Sequence, residues 1–65
     1  MSKRTVKEKV VEEKHELDTK IDALSKFLST NMPEGFDKQQ WKLLKQQHSY
    51  MVLYSVTLDR RLKLL

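Results

Sequence analysis

The stretch Trp41-Lys42-Leu43-Leu44-Lys45-Gln46-Gln47-His48-Ser49-Tyr50-Met51-Val52-Leu53-Tyr54-Ser55-Val56-Thr57-Leu58-Asp59-Arg60-Arg61-Leu62-Lys63-Leu64-Leu65 decides the fold. Within it Trp41, Leu44, His48, Met51, Ser55, Leu58, Leu62 and Leu65 recur at spacings of three and four, the period of a helix packed along one stripe against a partner. Only His48 and Ser55, one heptad apart, interrupt the apolar seam. The same stretch also carries Leu43, Tyr50, Val52, Leu53, Tyr54 and Val56, which lie on other sides of the helix. A helix that is apolar nearly all round must be covered nearly all round, so one partner helix does not suffice.

The first partner lies upstream. Thr5-Val6-Lys7-Glu8 reads as a capping box that starts a helix. Val6, Val10, Leu17, Ile21, Leu24 and Leu28 then fall on one stripe, with Lys14 where the stripe should continue. Lys7 to Glu16 is dense in charge, with Glu12 and Glu16 repelling and Glu16 and Lys20 attracting in the favoured order. This first third is expected to be solvated, free to fray or to extend beyond the rest. Ser29-Thr30-Asn31-Met32-Pro33-Glu34-Gly35 holds weak helix formers with the only Pro and Gly, and ends the helix. Asp37 with Gln40 offers a variant capping box, and Phe36 is placed to meet Trp41 as a hydrophobic staple.

The expectation is therefore all-α: an antiparallel, coiled-coil-like two-helix hairpin forming a single domain over residues 1–65, with a helix at about 5–30, a turn at 31–36 and a helix at 37–64. Antiparallel pairing puts Leu28 near Trp41 and Leu44, Ile21 and Leu24 near His48 and Met51, Leu17 near Ser55, and Val10 near Leu58 and Leu62. Two or more hairpins packing their Tyr50 to Leu58 segments together would form a helical bundle, a homo-oligomer of at least two chains. Leu43, Tyr50, Met51, Tyr54 and Leu58 are the expected interface.

Composition points the same way. A chain of 65 residues supports one small core, which at this size seldom supplies more than about 3 to 5 kcal/mol. With no Cys and only His15 and His48, neither disulfides nor a structural zinc site offers help, which leaves association. The net charge of +4 is uneven, with seven basic against six acidic residues up to Asn31 and six against three after it. An anionic partner is expected on the second helix. Met1-Ser2-Lys3-Arg4 lacks the apolar core of a signal peptide, and no apolar run nears the roughly 20 residues that span a bilayer. A cytoplasmic protein without membrane contact is expected.

No constellation implies catalysis. His48 has no nucleophile and acid spaced around it, and a lone His at a heptad position reads as a satisfied polar layer that fixes register. Ser55 reads as a small residue allowing close helix approach. Glu12, His15 and Asp18 have a metal-like spacing of the kind that charged helices produce by chance, so no metal and no cofactor are expected. Leu43, Gln47, Tyr50, Tyr54, Thr57 and Arg61 form a second row beside the seam, combining aromatic faces with an amide and a guanidinium. An oligomer interface, where Tyr and Arg are enriched, is the favoured reading of this row; the functional one is a base stacked on Tyr50 or Tyr54 with its phosphate gripped by Arg61, with Arg60 in reserve. Lys38, Lys42 and Lys45 line one face nearby, a short patch for nucleic-acid phosphates.

Glu16-Leu17-Asp18, Lys20-Ile21, Leu24, Phe27-Leu28, Leu44, Gln47, Met51, Tyr54-Ser55, Leu58 and Arg61-Leu62 together resemble a group of short proteins encoded by tailed bacteriophages. The resemblance covers about Glu16 to Leu62. It implies an inhibitor of host defences or host enzymes, and one such class is similar in plan: small helical hairpins that oligomerise and hold cyclic-nucleotide immune signals between subunits. The resulting expectation is a non-enzymatic anti-defence or host-takeover factor acting in the host cytoplasm. It would bind an anionic nucleotide, such as a cyclic nucleotide, or a host protein through Gln47, Tyr50, Tyr54, Arg60 and Arg61. A nucleic-acid-binding accessory protein and a purely structural adaptor are the alternatives.

Overall fold

The computed structural model describes residues 4–65; Met1-Ser2-Lys3, part of the segment judged unlike a signal peptide, lies outside them. Helix α1 (Val6–Leu28) runs into a turn and returns as α2 (Lys38–Leu64), and the two pack along their lengths with no strand among the described residues. Lys14 and Asp18 of α1 meet Ser55 of α2, while Phe27 meets Trp41, so the helices are antiparallel in one register.

The ends of the helices follow from local chemistry. At the start of α1 the Glu8 amide donates to Thr5 Oγ1 at 3.1 Å and the Thr5 amide donates to Glu8 Oε1 at 3.3 Å, a complete capping box. At its end the Ser29 hydroxyl donates to the Lys26 carbonyl and the Thr30 hydroxyl to the Phe27 carbonyl, both at 2.7 Å. These side chains satisfy carbonyls that a further turn would otherwise use, so α1 stops at Leu28, two residues before the expected end. The turn closes where the Phe36 amide donates to the Pro33 carbonyl, with Gly35 at φ 79°, a conformation only glycine adopts freely. Asp37 then caps α2 by accepting from the amides of Gln39 and Gln40.

Burial reproduces the two stripes. On α1 the least exposed residues are Val10, Lys14, Leu17, Ile21, Leu24 and Leu28, and on α2 they are the seam from Trp41 to Leu62 together with Asp59. Val10 is 2% exposed and Leu58 1%, so the charged first third of α1 is packed against the end of α2 at Val10, while the residues on either side of it, 4–9 and 11–13, are exposed as expected. Only the stripes' extremities depart from expectation: Val6 and Leu65, at the open end of the hairpin, are exposed. Phe27, Phe36 and Trp41 close the other end in edge-to-face contacts, with Phe36 and Trp41 centroids 5.7 Å apart and Phe27 and Trp41 5.4 Å apart. The staple is present, and Phe27 joins it from outside the stripe.

The body measures 49 × 24 × 16 Å, one helix thick, so each helix keeps an outer face in solvent. Its accessible surface is 5584 Å². A compact monomer of this mass exposes about 4,400 Å² by the usual scaling.

Candidate functional site

Tyr50, Tyr54 and Arg61 share one side of α2 because successive residues advance by about 100° and spacings of four and seven return to nearly the same angle. Tyr50 is 60% exposed and Tyr54 46%, and Leu43 and Leu53 beside them are also open. The Gln46 amide donates to the Tyr50 hydroxyl at 2.8 Å, which orients the ring along the helix. Gln47, expected in the row, instead directs its amide at the Met51 sulfur at 3.9 Å, toward the seam. Arg60 and Arg61 are exposed, and among the described residues neither takes part in an ion pair; Asp59, their neighbour, is engaged by Lys63 at 3.5 Å. Arg60 points about 100° away from Arg61.

The structure thus aligns the two tyrosines with Arg61 on a convex helix surface, where a planar ligand would find one face and no walls. Two grooves lie elsewhere: one of about 310 Å³ is lined by Arg4, Lys9, Glu12, Glu13 and Glu16, and another of about 500 Å³ by Arg4, Lys7, Glu8, Val11, Glu12 and His15. Both follow the first turns of α1, where Arg4 pairs with Glu12. Of the residues expected at an intersubunit contact, Leu43, Tyr50 and Tyr54 face solvent and Met51 is half-buried, while Leu58 is enclosed within the hairpin and presents no surface to a neighbour. In the lysine patch Lys38, Lys42 and Lys45 are all exposed, and Lys45 sits over the Trp41 ring at 6.0 Å from its centroid.

Among the described residues no three His, Cys, Asp or Glu side chains converge as metal ligands. Asp18, the third member of the spaced triplet, turns away to Lys14 and Ser55. Lys14 Nζ donates to Asp18 Oδ2 at 2.8 Å and to Ser55 Oγ at 3.0 Å, and the Ser55 hydroxyl donates to Asp18 Oδ1 at 2.5 Å. Those bonds, from Lys14 first and Ser55 second, hold the Asp18 carboxyl below its ordinary range. Ser55 is therefore more than a small residue in the seam. The signal for this cluster was the gap in the α1 stripe at Lys14, with an acid four residues on.

His48 needs a correction. Its Nε2 is buried with no hydrogen-bond partner among the described residues, so this layer is not the satisfied one expected. Its nearest layers, by register, are formed by Ile21 and Leu24, whose side chains are hydrocarbon.

No curated protein matches the chain, and no solved structure does either. A protein-family match covers residues 4–64, which is both helices and the turn between them. The chain belongs to the Sequestin family.

Proposed function

We propose that this chain is a non-enzymatic phage protein that assembles through α2 and sequesters an anionic nucleotide signal between its hairpins, acting as an anti-defence factor in the host cytoplasm. The observation that carries the reading is the exposed Tyr50, Tyr54 and Arg61 row on a helix that one partner leaves half uncovered. The surface of 5584 Å² exceeds that of a compact monomer by roughly 1,000 Å², which is the scale of one side of a stable protein interface. Two rows brought together would supply the second wall that the single hairpin lacks: aromatic faces and guanidinium groups from different chains converging on one space, a receptor for a base attached to phosphate. The family name is compatible with sequestration. Lys38, Lys42 and Lys45 favour the nucleic-acid alternative only weakly, since three lysines make few phosphate contacts.

Calorimetric titration with a panel of mononucleotides and cyclic dinucleotides tests the proposal. Binding to at least one of them is expected, with Tyr54→Ala and Arg61→Ala each weakening it about tenfold or more, in line with roughly 1 to 3 kcal/mol per stacked base or charge-assisted contact. Absence of heat across the panel, or binding that both substitutions leave unchanged, would overturn the nucleotide reading and make a host protein the target to pursue. Duplex binding that weakens steeply with salt would point to the nucleic-acid alternative.

A further inference from the structure

The two helices are unequal partners. The α2 seam is apolar at nearly every layer, whereas the α1 stripe is broken by Lys14 and carries a charged first third. On apolar burial alone, two α2 helices from different copies would pair seam to seam at least as well as α2 pairs with α1. A slip of the hairpin by one heptad would likewise still set hydrocarbon against hydrocarbon in most layers. Something must reserve the α2 seam for this α1 in this register.

The cluster at the middle of the interface does so by its chemistry. Ser55 is 8% exposed, and its hydroxyl both donates to Asp18 and accepts from Lys14, two groups that only α1 supplies. Lys14 and Asp18 are in turn joined to each other at 2.8 Å, so the three side chains close a ring of hydrogen bonds that crosses between the helices twice. Moved by one heptad along α1, Ser55 would find Ile21 and Ser25, or Lys7 and Val11, in place of Lys14 and Asp18, so its hydroxyl would lose the carboxylate and keep at most one polar neighbour. Paired with a second α2, it would meet another Ser55, the apolar seam or Asp59, a carboxylate that Lys63 already engages, with no lysine in the seam to complete the ring. A buried polar group without a partner is costly, and a single polar layer in a heptad interface is known to set register and partner while lowering stability relative to an apolar one.

We propose that Lys14, Asp18 and Ser55 form a pairing lock that commits the α2 seam to α1 of the same chain in one register, leaving only the outer flanks of α2 for other contacts. The inference stands apart from the nucleotide reading, because it concerns which helices pair and not what the outer row binds.

The chain has no cysteine, so spin labels can be placed at will. Lys20→Cys and Lys42→Cys, both at exposed positions, are labelled and the protein diluted with unlabelled chains so that only distances within one chain are read. With the lock intact a single narrow distance is expected. In the triple variant Lys14→Leu, Asp18→Ala and Ser55→Ala the melting temperature is expected to hold or rise, while a second distance population appears, shifted along the axis by about 10 Å for a one-heptad slip or broad and long for exchange of partners. Ser55→Ala alone, which leaves the Lys14 and Asp18 pair in place, is expected to show the same second population at a smaller share. A single unchanged distance in a folded triple variant overturns the proposal. Should the triple variant lose its helical signal, Ser55→Ala decides: a second population supports the lock, and one narrow distance overturns it.

Discussion

His48 and Leu58 sit in the same seam and make opposite predictions. The side chain of Leu58 is 1% exposed, and truncating a fully enclosed Leu removes both its transfer energy and its packing. Leu58→Ala should cost about 2 to 5 kcal/mol, enough in a chain this small to abolish the cooperative transition in a urea melt. His48 buries a ring nitrogen with no partner, so replacing it by Leu removes an unsatisfied group at similar volume. His48→Leu should leave stability unchanged or raise it by about 1 kcal/mol, and a clear loss in the same melt would show that the imidazole makes a bond absent from the hairpin alone. Asp18 adds a pH dependence whose sign is fixed by its partners. Lys14 and Ser55 favour the carboxylate, so its folded pKa lies below the unfolded value of about 3.9, and the stabilisation is present above that value and lost as pH falls through the lower one. Comparing melting temperatures of the natural chain and Asp18→Asn, the gap should be constant near pH 6 and close below about pH 4.

At the scale of elements, the capping residues were legible because each acts over three or four positions of sequence. Thr5 with Glu8 and Asp37 with Gln40 need no knowledge of the rest of the fold; the structure completes the first box, while at the second Asp37 accepts from the Gln39 and Gln40 amides and the Gln40 side chain makes no return bond. Thr5→Ala should cost about 1 kcal/mol and speed amide exchange in the first turn of α1 without altering α2. The seam was legible for a related reason, since periodicity reports which face is buried even when the partner is unknown. Phe27 was not: it lies off the α1 stripe and is recruited because Phe36, in the turn, swings round the closed end to meet it and Trp41. Periodicity is silent on contacts that a turn creates. Lys14 was visible only as a gap, because the partner that explains it lies 41 residues away on the other helix. The Tyr50, Tyr54 and Arg61 row could be drawn from sequence as a line of residue types, but the convexity of its surface is a property of the packed hairpin.

For the whole molecule, the decisive quantity is the uncovered side of α2. Leu43, Tyr50, Leu53 and Tyr54 are exposed together, and contiguous apolar surface of this kind marks an interaction site. Light scattering at micromolar concentration should report at least a dimer, and the melting temperature should rise with protein concentration, as it does whenever folding is linked to association. Leu53→Glu is expected to shift the population toward monomer while leaving each hairpin helical. A concentration-independent melt of a monomer would remove the basis for any pocket shared between chains.

The 49 × 24 × 16 Å outline also governs how the molecule turns in solution. A rod rotates slowly end over end and quickly about its long axis, and helical N–H bonds lie nearly parallel to that axis. Nitrogen-15 relaxation in α1 and α2 therefore senses mainly the slow mode, whereas amides of the turn, inclined to the rod, sample the fast one. Stacking hairpins side by side thickens the body and draws the two sets of relaxation rates together; joining them end to end drives the sets further apart. The spread of those rates thus distinguishes lateral from axial assembly without a ligand, an attached probe or a crystal.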